Sequence, residues 1–543
     1  MIRLRTGDAP LTRLRTPARK NARLSHLGRL LAAIATVLSM AIPLNAQPSA
    51  AAVAESGTCE SLTAVTLPHT TVTLAESVPA GRHTAPDGRV LPSVPAFCRV
   101  HGVAKPVPNS SIGFEVWIPE QGWNQRLLMF GNGGYSSAID FPSMGGPALA
   151  AGYATVGTDT GHTGDDPDVF VQGAANPEII VDWGHRAVHE TIVNAKPIVE
   201  AYTGAKPRYS YFIGCSTGGH QALMEAQRYP DDFDGIVAGA PGNNRVALNA
   251  GFLWQFLRNH TAGSTSDPIV PAAKLPLLTN AAVKRCRGKD GGLATDDFLT
   301  DPRRCSFDPA SLRCPAGDAP TCLTKRQVQA LREMYAGARD PRTGEQIYPG
   351  WPVGSEAPVV DASGTVRVGW SSYWGATEPA RANFWRYWVF NDPNWNWWTF
   401  DFHRDLRLAQ KKLGPIINAT DPDLRPLRRS GGKLIMYTGW ADPVVSAHDT
   451  IDYYGQVVRA TSGERQAGST AVARTREFAR LFMVPGMAHC GGGPGPNVFD
   501  TLTPIVSWVE RGAAPAEIVA TKYVHDNPAD GVAMTRSLTP FTC

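Results

Sequence analysis

Short apolar runs alternate with amphipathic stretches along most of the chain. The runs are rich in Val, Ile, Phe and Tyr and are bounded by Gly, Pro or Asp, as is typical of buried β-strands. Between several of them, as in residues 185–202 and 219–228, apolar positions recur nearer to every 3.6 residues than to every two, which indicates helices. This alternation predicts an α/β fold with a mostly parallel sheet. The predicted strands are 113–118, 126–130, 153–158, 209–213, 235–238, 433–437 and 479–484.

The alternation stops in the middle of the chain. Between about residues 245 and 425, four cysteines, many prolines and a cluster of aromatic residues replace it, and it resumes near residue 433. We therefore expect a core in two parts, residues 47–245 and 426–543, interrupted by an inserted lid domain, residues 246–425.

The composition is that of a folded protein without a strongly charged surface. Of the 543 residues, 43% are hydrophobic and 18% charged, so self-repulsion does not favour disorder. The net charge is only +4, whereas nucleic acid or an anionic membrane requires a concentrated basic surface. Neither is an expected partner.

The beginning of the chain resembles an export signal. A basic leader precedes an apolar stretch, residues 27–46, which ends in small residues at Ala46. Its uncharged part, residues 30–43, is too short to cross a bilayer, which needs about 20 residues. We therefore predict a cleaved signal peptide, residues 1–46, and a protein that is extracellular or periplasmic.

The cysteines are expected to form disulfides, because export places them in an oxidising compartment. Their spacings fit neither a zinc site nor a redox C-x-x-C motif. Pairing of neighbours in the sequence predicts Cys59–Cys98, Cys286–Cys305 and Cys314–Cys322. Cys215 would then pair with Cys490 and leave Cys543 over; the alternative is that one of these two pairs with Cys543.

The motif with the clearest chemistry is G-C-S-T-G-G, residues 214–219. It follows the predicted strand 209–213 and precedes a predicted helix, which is the context that a G-x-S-x-G nucleophile elbow requires. Ser216 is the candidate nucleophile. In this arrangement the acid and the histidine follow in that order along the chain.

Both partners are found after later strands. Asp442 follows the predicted strand 433–437, and His489 lies in a Gly-rich loop after the strand 479–484. Taken alone, Asp442 could be a turn-former and His489 an ordinary loop residue, but their order and placement favour catalysis. His489 would then be the general base and Asp442 would orient it. A Cys215–Cys490 bond would tie the nucleophile to the base.

An oxyanion hole is expected in the loop G-N-G-G-Y, residues 131–135, which follows an early strand. Its glycines allow the backbone to approach a substrate oxygen. The N–H groups of Gly133 and Thr217 are the candidate donors.

These motifs resemble the tannase and feruloyl esterase family of serine hydrolases. The likeness covers nearly the whole mature chain, and G-C-S-T-G-G and H-C-G-G-G are its most specific elements. It implies an α/β-hydrolase core with a lid, the triad Ser216, Asp442 and His489, and a Cys215–Cys490 disulfide. It also implies esters of aromatic acids as substrates, either small or linked to plant polymers. The motifs lie at 152–162, 183–204, 211–241, 437–446 and 484–493.

The resemblance implies no cofactor for the chemistry, but many members bind a structural Ca²⁺ through an Asp-rich loop in the lid. Here Arg287 stands in place of the first Asp of that loop, which leaves few carboxylates for a hard cation. The alternative is a solvated turn. The candidate ligands are Asp290, Gly292, Asp296 and Phe298.

An aromatic cluster in the lid indicates a flat acyl pocket. Five tryptophans lie within residues 385–398, enough for a wall that stacks on an aromatic acid. The candidates are Trp385, Phe390 and Trp397; the alternative is that they form the core of the lid.

The sequence thus predicts a secreted serine esterase that acts on aromatic-acid esters, with feruloyl esters as the first choice. Galloyl esters or a terephthalate monoester are the alternatives. A non-catalytic protein that binds plant aromatics and an acyltransferase are the other two hypotheses.

Overall fold

A nine-stranded sheet lies at the centre of the computed structural model, which describes residues 57–264, 267–358, 369–375, 377–463 and 468–542. The predicted signal peptide and Cys543 lie outside the described residues. The strands are β1 (Thr70–Val78), β2 (Gly81–Thr84), β3 (Val90–Val94), β4 (Phe97–Ala104), β5 (Ile112–Pro119), β6 (Arg126–Phe130), β7 (Ala154–Thr158), β8 (Tyr209–Cys215), β9 (Gly235–Gly239), β10 (Ala338–Arg339), β11 (Gln346–Tyr348), β12 (Lys433–Gly439), β13 (Ala479–Val484), β14 (Ile518–Tyr523) and β15 (Val532–Leu538).

Most of the sheet is parallel, as the sequence predicts, and its strand order is β1-β4-β5-β7-β6-β8-β9-β12-β13. Neighbours from β7 through β6, β8, β9 and β12 to β13 are parallel, whereas β1, β4 and β5 form an antiparallel edge. The carboxyl ends of parallel strands meet at one edge of a sheet. The loops that follow β6, β8, β12 and β13 therefore converge, and these loops carry the candidate active-site residues.

The two faces of the sheet are buried in separate hydrophobic clusters because side chains alternate along each strand. Phe212 and Leu481 belong to one cluster, whereas their neighbours Tyr211 and Phe482 belong to the other. Helices cover both faces, which explains why the central strands read as continuous apolar runs. The helices are α1 (Phe141–Met144), α2 (Pro147–Ala150), α3 (Asp168–Ala175), α4 (Glu178–Val181), α5 (Ala187–Thr203), α6 (Thr217–Arg228), α7 (Arg245–Asn259), α8 (Leu275–Cys286), α9 (Lys325–Ala336), α10 (Trp370–Trp374), α11 (Arg404–Ile417), α12 (Arg425–Ser430), α13 (Ala447–Ser462), α14 (Ser469–Thr475) and α15 (Leu502–Arg511).

A large insertion separates β9 from β12 in the chain. It holds α7 to α12 and the short hairpin β10–β11, and the predicted lid, residues 246–425, falls within it. Its core is rich in tryptophan and includes Trp370, Trp385 and Trp388. The same cluster contains Tyr135 and Val444 from the loops at the carboxyl edge of the sheet. The insertion therefore packs over the edge where the candidate site lies.

Four disulfides join the cysteines in the pairs that the sequence predicts. Cys59–Cys98 fastens the start of the described chain to β4, and two further pairs lie within the insertion. The pairs are Cys59–Cys98, Cys215–Cys490, Cys286–Cys305 and Cys314–Cys322.

None of the helices in the described ranges has the length and apolar character that crossing a bilayer needs.

We predict that Asp449, a buried acid in the first turn of α13, makes stability fall with rising pH. Burial, with a smaller contribution from nearby Asp452, raises the pKa of Asp449 to about 8. The unfolded carboxyl ionises near pH 4, so between about pH 4 and 8 the folded state binds one more proton. The free energy of unfolding then decreases by up to about 1.4 kcal/mol per pH unit in this window.

Urea denaturation of the wild type and Asp449→Asn between pH 4 and 8 measures this contribution. The variant should show a flatter pH dependence and greater stability at pH 8. Equal slopes for the two proteins would contradict the assignment.

Candidate active site

Ser216 occupies a strained turn between β8 and α6. Its backbone has φ 62° and ψ −115°, a conformation that residues with a side chain adopt at a cost of about 1–3 kcal/mol and that occurs mainly at functional sites. The glycines around it are required by close packing. A Cβ on Gly214 would lie 2.4 Å from the backbone of Gly218, and one on Gly219 would lie 2.2 Å from the carbonyl oxygen of Gly239. The motif therefore forms the predicted elbow.

Asp442, which is buried, and His489, which is partly buried, form a pair at the same edge of the sheet. Asp442 follows β12 and has no exposed surface; its Oδ1 accepts the N–H groups of Val444 at 2.7 Å and Val445 at 3.0 Å. Its Oδ2 lies 2.8 Å from Nδ1 of His489, whose side chain is 12% exposed. This contact fixes the imidazole and leaves its Nε2 available for a reacting hydroxyl.

The Cys215–Cys490 disulfide ties the serine segment to the histidine segment. The two cysteines are 275 residues apart in the chain, with Cα atoms 5.9 Å apart, and each is adjacent to a candidate catalytic residue. Within the described part of the chain, Ser216 and His489 share no hydrogen bond. In enzymes without substrate this bond is often long and tightens only in the substrate complex.

The loop 131–135 packs directly on the first turn of α6. Asn132 and the side chain of Gln221 form two hydrogen bonds. The backbone N–H of Asn132 donates to Gln221 Oε1 at 2.9 Å, and Gln221 Nε2 donates to Asn132 Oδ1 at 3.0 Å. Among the residues that the structure describes, the N–H groups of Gly133 and Thr217 have no acceptor. Both donors are therefore available for a substrate oxygen, and Gln221 is a supporting residue that sequence reasoning missed.

Aromatic side chains that the sequence analysis did not select adjoin this loop. Tyr135 stacks on Trp183 with ring centres 4.6 Å apart and lies edge-on to Trp388 at 5.7 Å. Its hydroxyl accepts a hydrogen bond from Asn249 Nδ2 at 3.0 Å. The position of Tyr135 at the end of the G-N-G-G-Y motif is the signal that could have identified it.

The three candidate pocket residues of the lid lie in different surroundings. Trp385 has no exposed surface and packs against Phe400, so it belongs to the core of the insertion and does not line an open pocket. Phe390 is half-buried and stacks on Trp395. Trp397 is also half-buried and lies beneath the guanidinium of Arg386. For Trp385, packing in the lid core replaces the predicted role in stacking on substrate.

The loop implied to bind calcium is held by other contacts. The carboxylate of Asp290 accepts the N–H groups of Gly292 and Thr300, and that of Asp296 accepts the N–H of Leu293. The second oxygen of Asp296 pairs with Arg536 at 2.7 Å, so a guanidinium already neutralises this carboxylate. Phe298 is buried against Gly486, near the His489 loop. These residues do not fit a calcium site.

The described ranges contain no cluster of three or more His, Cys, Asp or Glu side chains that is arranged to hold a metal ion.

Comparison with known proteins identifies the family. Residues 98–542 match the family model described as tannase and feruloyl esterase, which confirms the resemblance in the motifs. An uncharacterized esterase of Xanthomonas campestris pv. campestris is 41% identical, over 94% of this chain and 90% of its own. The mono(2-hydroxyethyl) terephthalate hydrolase of Piscinibacter sakaiensis is 33% identical, over 82% and 81%.

A solved structure agrees with these sequence matches. Feruloyl esterase B of Aspergillus oryzae aligns with a TM-score of 0.78 and 28% identity, over 89% of this chain and 95% of its own. The chain therefore belongs to the tannase and feruloyl esterase family, and it is a carboxylic ester hydrolase with an α/β-hydrolase fold.

Proposed function

We propose that the protein is a secreted serine hydrolase that cleaves esters of aromatic acids through an acyl-enzyme. The observation that carries this proposal is the Asp442–His489 hydrogen bond, in a segment that a disulfide fastens to the segment of Ser216, whose backbone is strained. The order and placement of these residues match the Ser-acid-His arrangement of α/β-hydrolases.

In this mechanism Nε2 of His489 takes the hydroxyl proton of Ser216 while Oγ attacks the ester carbonyl carbon. Asp442 holds the ring and stabilises the imidazolium. The N–H groups of Gly133 and Thr217 would stabilise the negative oxygen of the tetrahedral intermediate. Its collapse releases the alcohol, which receives the proton from His489. Water, activated by the same histidine, then hydrolyses the acyl-enzyme.

Aromatic acids are the proposed acyl groups for two reasons. The motifs G-C-S-T-G-G and H-C-G-G-G resemble those of a family whose substrates are esters of aromatic acids. A similar structure is that of a feruloyl esterase, and a relative is named a terephthalate monoester hydrolase. Feruloyl esters are the first choice, with galloyl esters and the terephthalate monoester as alternatives.

Export is part of the same proposal. Four disulfides are typical of proteins that fold in an oxidising compartment. Esters linked to plant polymers can be reached only by an exported enzyme, so they are compatible with this location.

We expect initial-rate assays with methyl ferulate, methyl gallate and mono(2-hydroxyethyl) terephthalate to show turnover of at least one ester. Ser216→Ala should lower kcat by at least about 10³-fold, because the nucleophile is lost. Assays with added alcohol acceptors distinguish hydrolysis from acyl transfer. Undiminished turnover by the variant would contradict the mechanism, and inertness of the wild type toward every ester would favour a binding protein.

A second prediction concerns the disulfide beside the triad. Replacing Cys215 and Cys490 together with Ala should lower the free energy of unfolding by about 2–5 kcal/mol. It should also lower kcat by about 10-fold or more, because His489 loses its covalent tie and small displacements of a catalytic group reduce rates strongly.

The matched control is the double Ala variant of Cys314 and Cys322, whose bond closes a short loop with a separation of 8 residues in the insertion. It should keep the wild-type kcat. Urea denaturation and initial rates test both variants, and wild-type kcat in the Cys215/Cys490 variant would contradict the proposed role of this bond.

A further inference from the structure

A buried positive charge lies next to the proposed oxyanion hole. Arg245, the first residue of α7, is only 6% exposed. Its Nη2 donates to Oγ1 of Thr217 at 2.5 Å, and its guanidinium lies over the rings of Tyr135 and Trp183 at 5.5 and 5.3 Å. Within the described ranges it has no ion pair with a carboxylate, and its Nε has no acceptor.

Such a charge destabilises the folded state. Burial lowers the pKa of Arg245, and the nearby guanidinium of Arg381 lowers it further. A buried charge normally has an opposite charge beside it, because the desolvation of an unpaired ion costs several kcal/mol. An ionised group left unpaired in the wall of a candidate active site points to function, where an anion arises during the reaction.

Thr217 connects this charge to both segments that supply the proposed oxyanion donors. Its Oγ1 accepts from Arg245 and donates to the carbonyl oxygen of Gly134 at 2.6 Å. The first turn of α6 is thereby fastened to the loop 131–135. A hydrogen bond from a charged donor is about twice as strong as a neutral one, so Arg245 strengthens the contact that sets the spacing of the two donors.

We propose that Arg245 is a positioning residue for the oxyanion hole, acting through Thr217. The inference rests on the proposed function. Its fixed positive charge favours the negatively charged tetrahedral intermediate over the neutral ester, so it contributes to kcat more than to substrate binding. The reaction supplies, transiently, the negative charge that the folded protein lacks at this position.

The test compares Arg245→Met and Arg245→Lys with a matched control, Arg258→Met. Arg258 lies at the other end of α7, stacks on Trp254 at 4.1 Å and pairs with Glu333 at 3.4 Å. We expect Arg245→Met to lower kcat by about 10- to 100-fold with KM changed by less than about 3-fold, since loss of a direct donor costs about 10²–10³-fold. Arg245→Lys should fall between this variant and the wild type, and the control should keep its kcat.

Thermal denaturation separates this role from a structural one. Removing an unpaired buried charge should leave the Tm of Arg245→Met equal to or above that of the wild type. A purely structural arginine would give a lower Tm instead. A lower Tm together with an unchanged ratio of kcat to KM would overturn the proposal, as would wild-type kcat in Arg245→Met.

A fluorophosphonate provides a readout that does not depend on the choice of ester. Oγ of Ser216 attacks phosphorus, fluoride leaves, His489 takes the hydroxyl proton, and a phosphoryl oxygen enters the oxyanion hole. The rate constant of this inactivation should fall in Arg245→Met in parallel with kcat. Equal rates in the two proteins would overturn only the role of Arg245, whereas a wild type that reacts with neither ester nor probe would overturn the proposed function and this inference together.

Discussion

The covalent bond between Cys215 and Cys490 is the constraint on which the candidate site depends. The elbow follows β8 and the histidine loop follows β13, and two strands, β9 and β12, lie between them in the sheet. Neighbouring strands are about 4.8 Å apart, so the ends of β8 and β13 are separated by roughly 14 Å. The loop after β13 must therefore fold back across the sheet edge. The disulfide holds the Cα of Cys490, in this loop, 5.9 Å from the Cα of Cys215.

Close backbone packing completes the arrangement. The elbow can form only because glycines at 214 and 219 allow backbone contacts that a Cβ would block. The loop 131–135 then rests on α6 through Gly131, where a Cβ would lie 2.6 Å from the Cα of Gly218. Side-chain hydrogen bonds of Gln221 and Thr217 join α6 to the loop 131–135. These contacts hold together the loop 131–135 and the first turn of α6, which carry the proposed oxyanion donors.

The sequence predicted the parts of the molecule that depend on local pattern. The apolar runs located β5 to β9, β12 and β13 to within about two residues, and the strand-turn-helix context located Ser216. Asp442 could be identified as the candidate acid because it follows a parallel strand. This position places it at the same edge of the sheet as Ser216. The antiparallel strands β1 to β3 were missed because they are partly exposed and their apolar pattern is weak. Strand β4 was missed because Arg99 and His101 interrupt its apolar pattern, although none of its residues is exposed.

The remaining features depend on tertiary contacts that no local pattern encodes. Trp385 and Trp397 look alike in the sequence, yet one is fully buried and the other half-buried. Arg536 contacts Asp296 from 240 positions along the chain, so the composition of the calcium-like loop alone did not indicate its neighbour. Nothing in the sequence around Arg245 distinguishes it from other arginines in helices. Only the folded structure shows its contact with Thr217.

Trapping the acyl-enzyme tests the central claim most directly. The protein is mixed with methyl ferulate, quenched in acid within its first turnovers, digested and analysed by mass spectrometry. The account predicts a feruloyl group on the peptide that carries Ser216. Continued turnover with the acyl group on another residue, or with no covalent adduct under conditions where hydrolysis of the acyl-enzyme is rate-limiting, would contradict it.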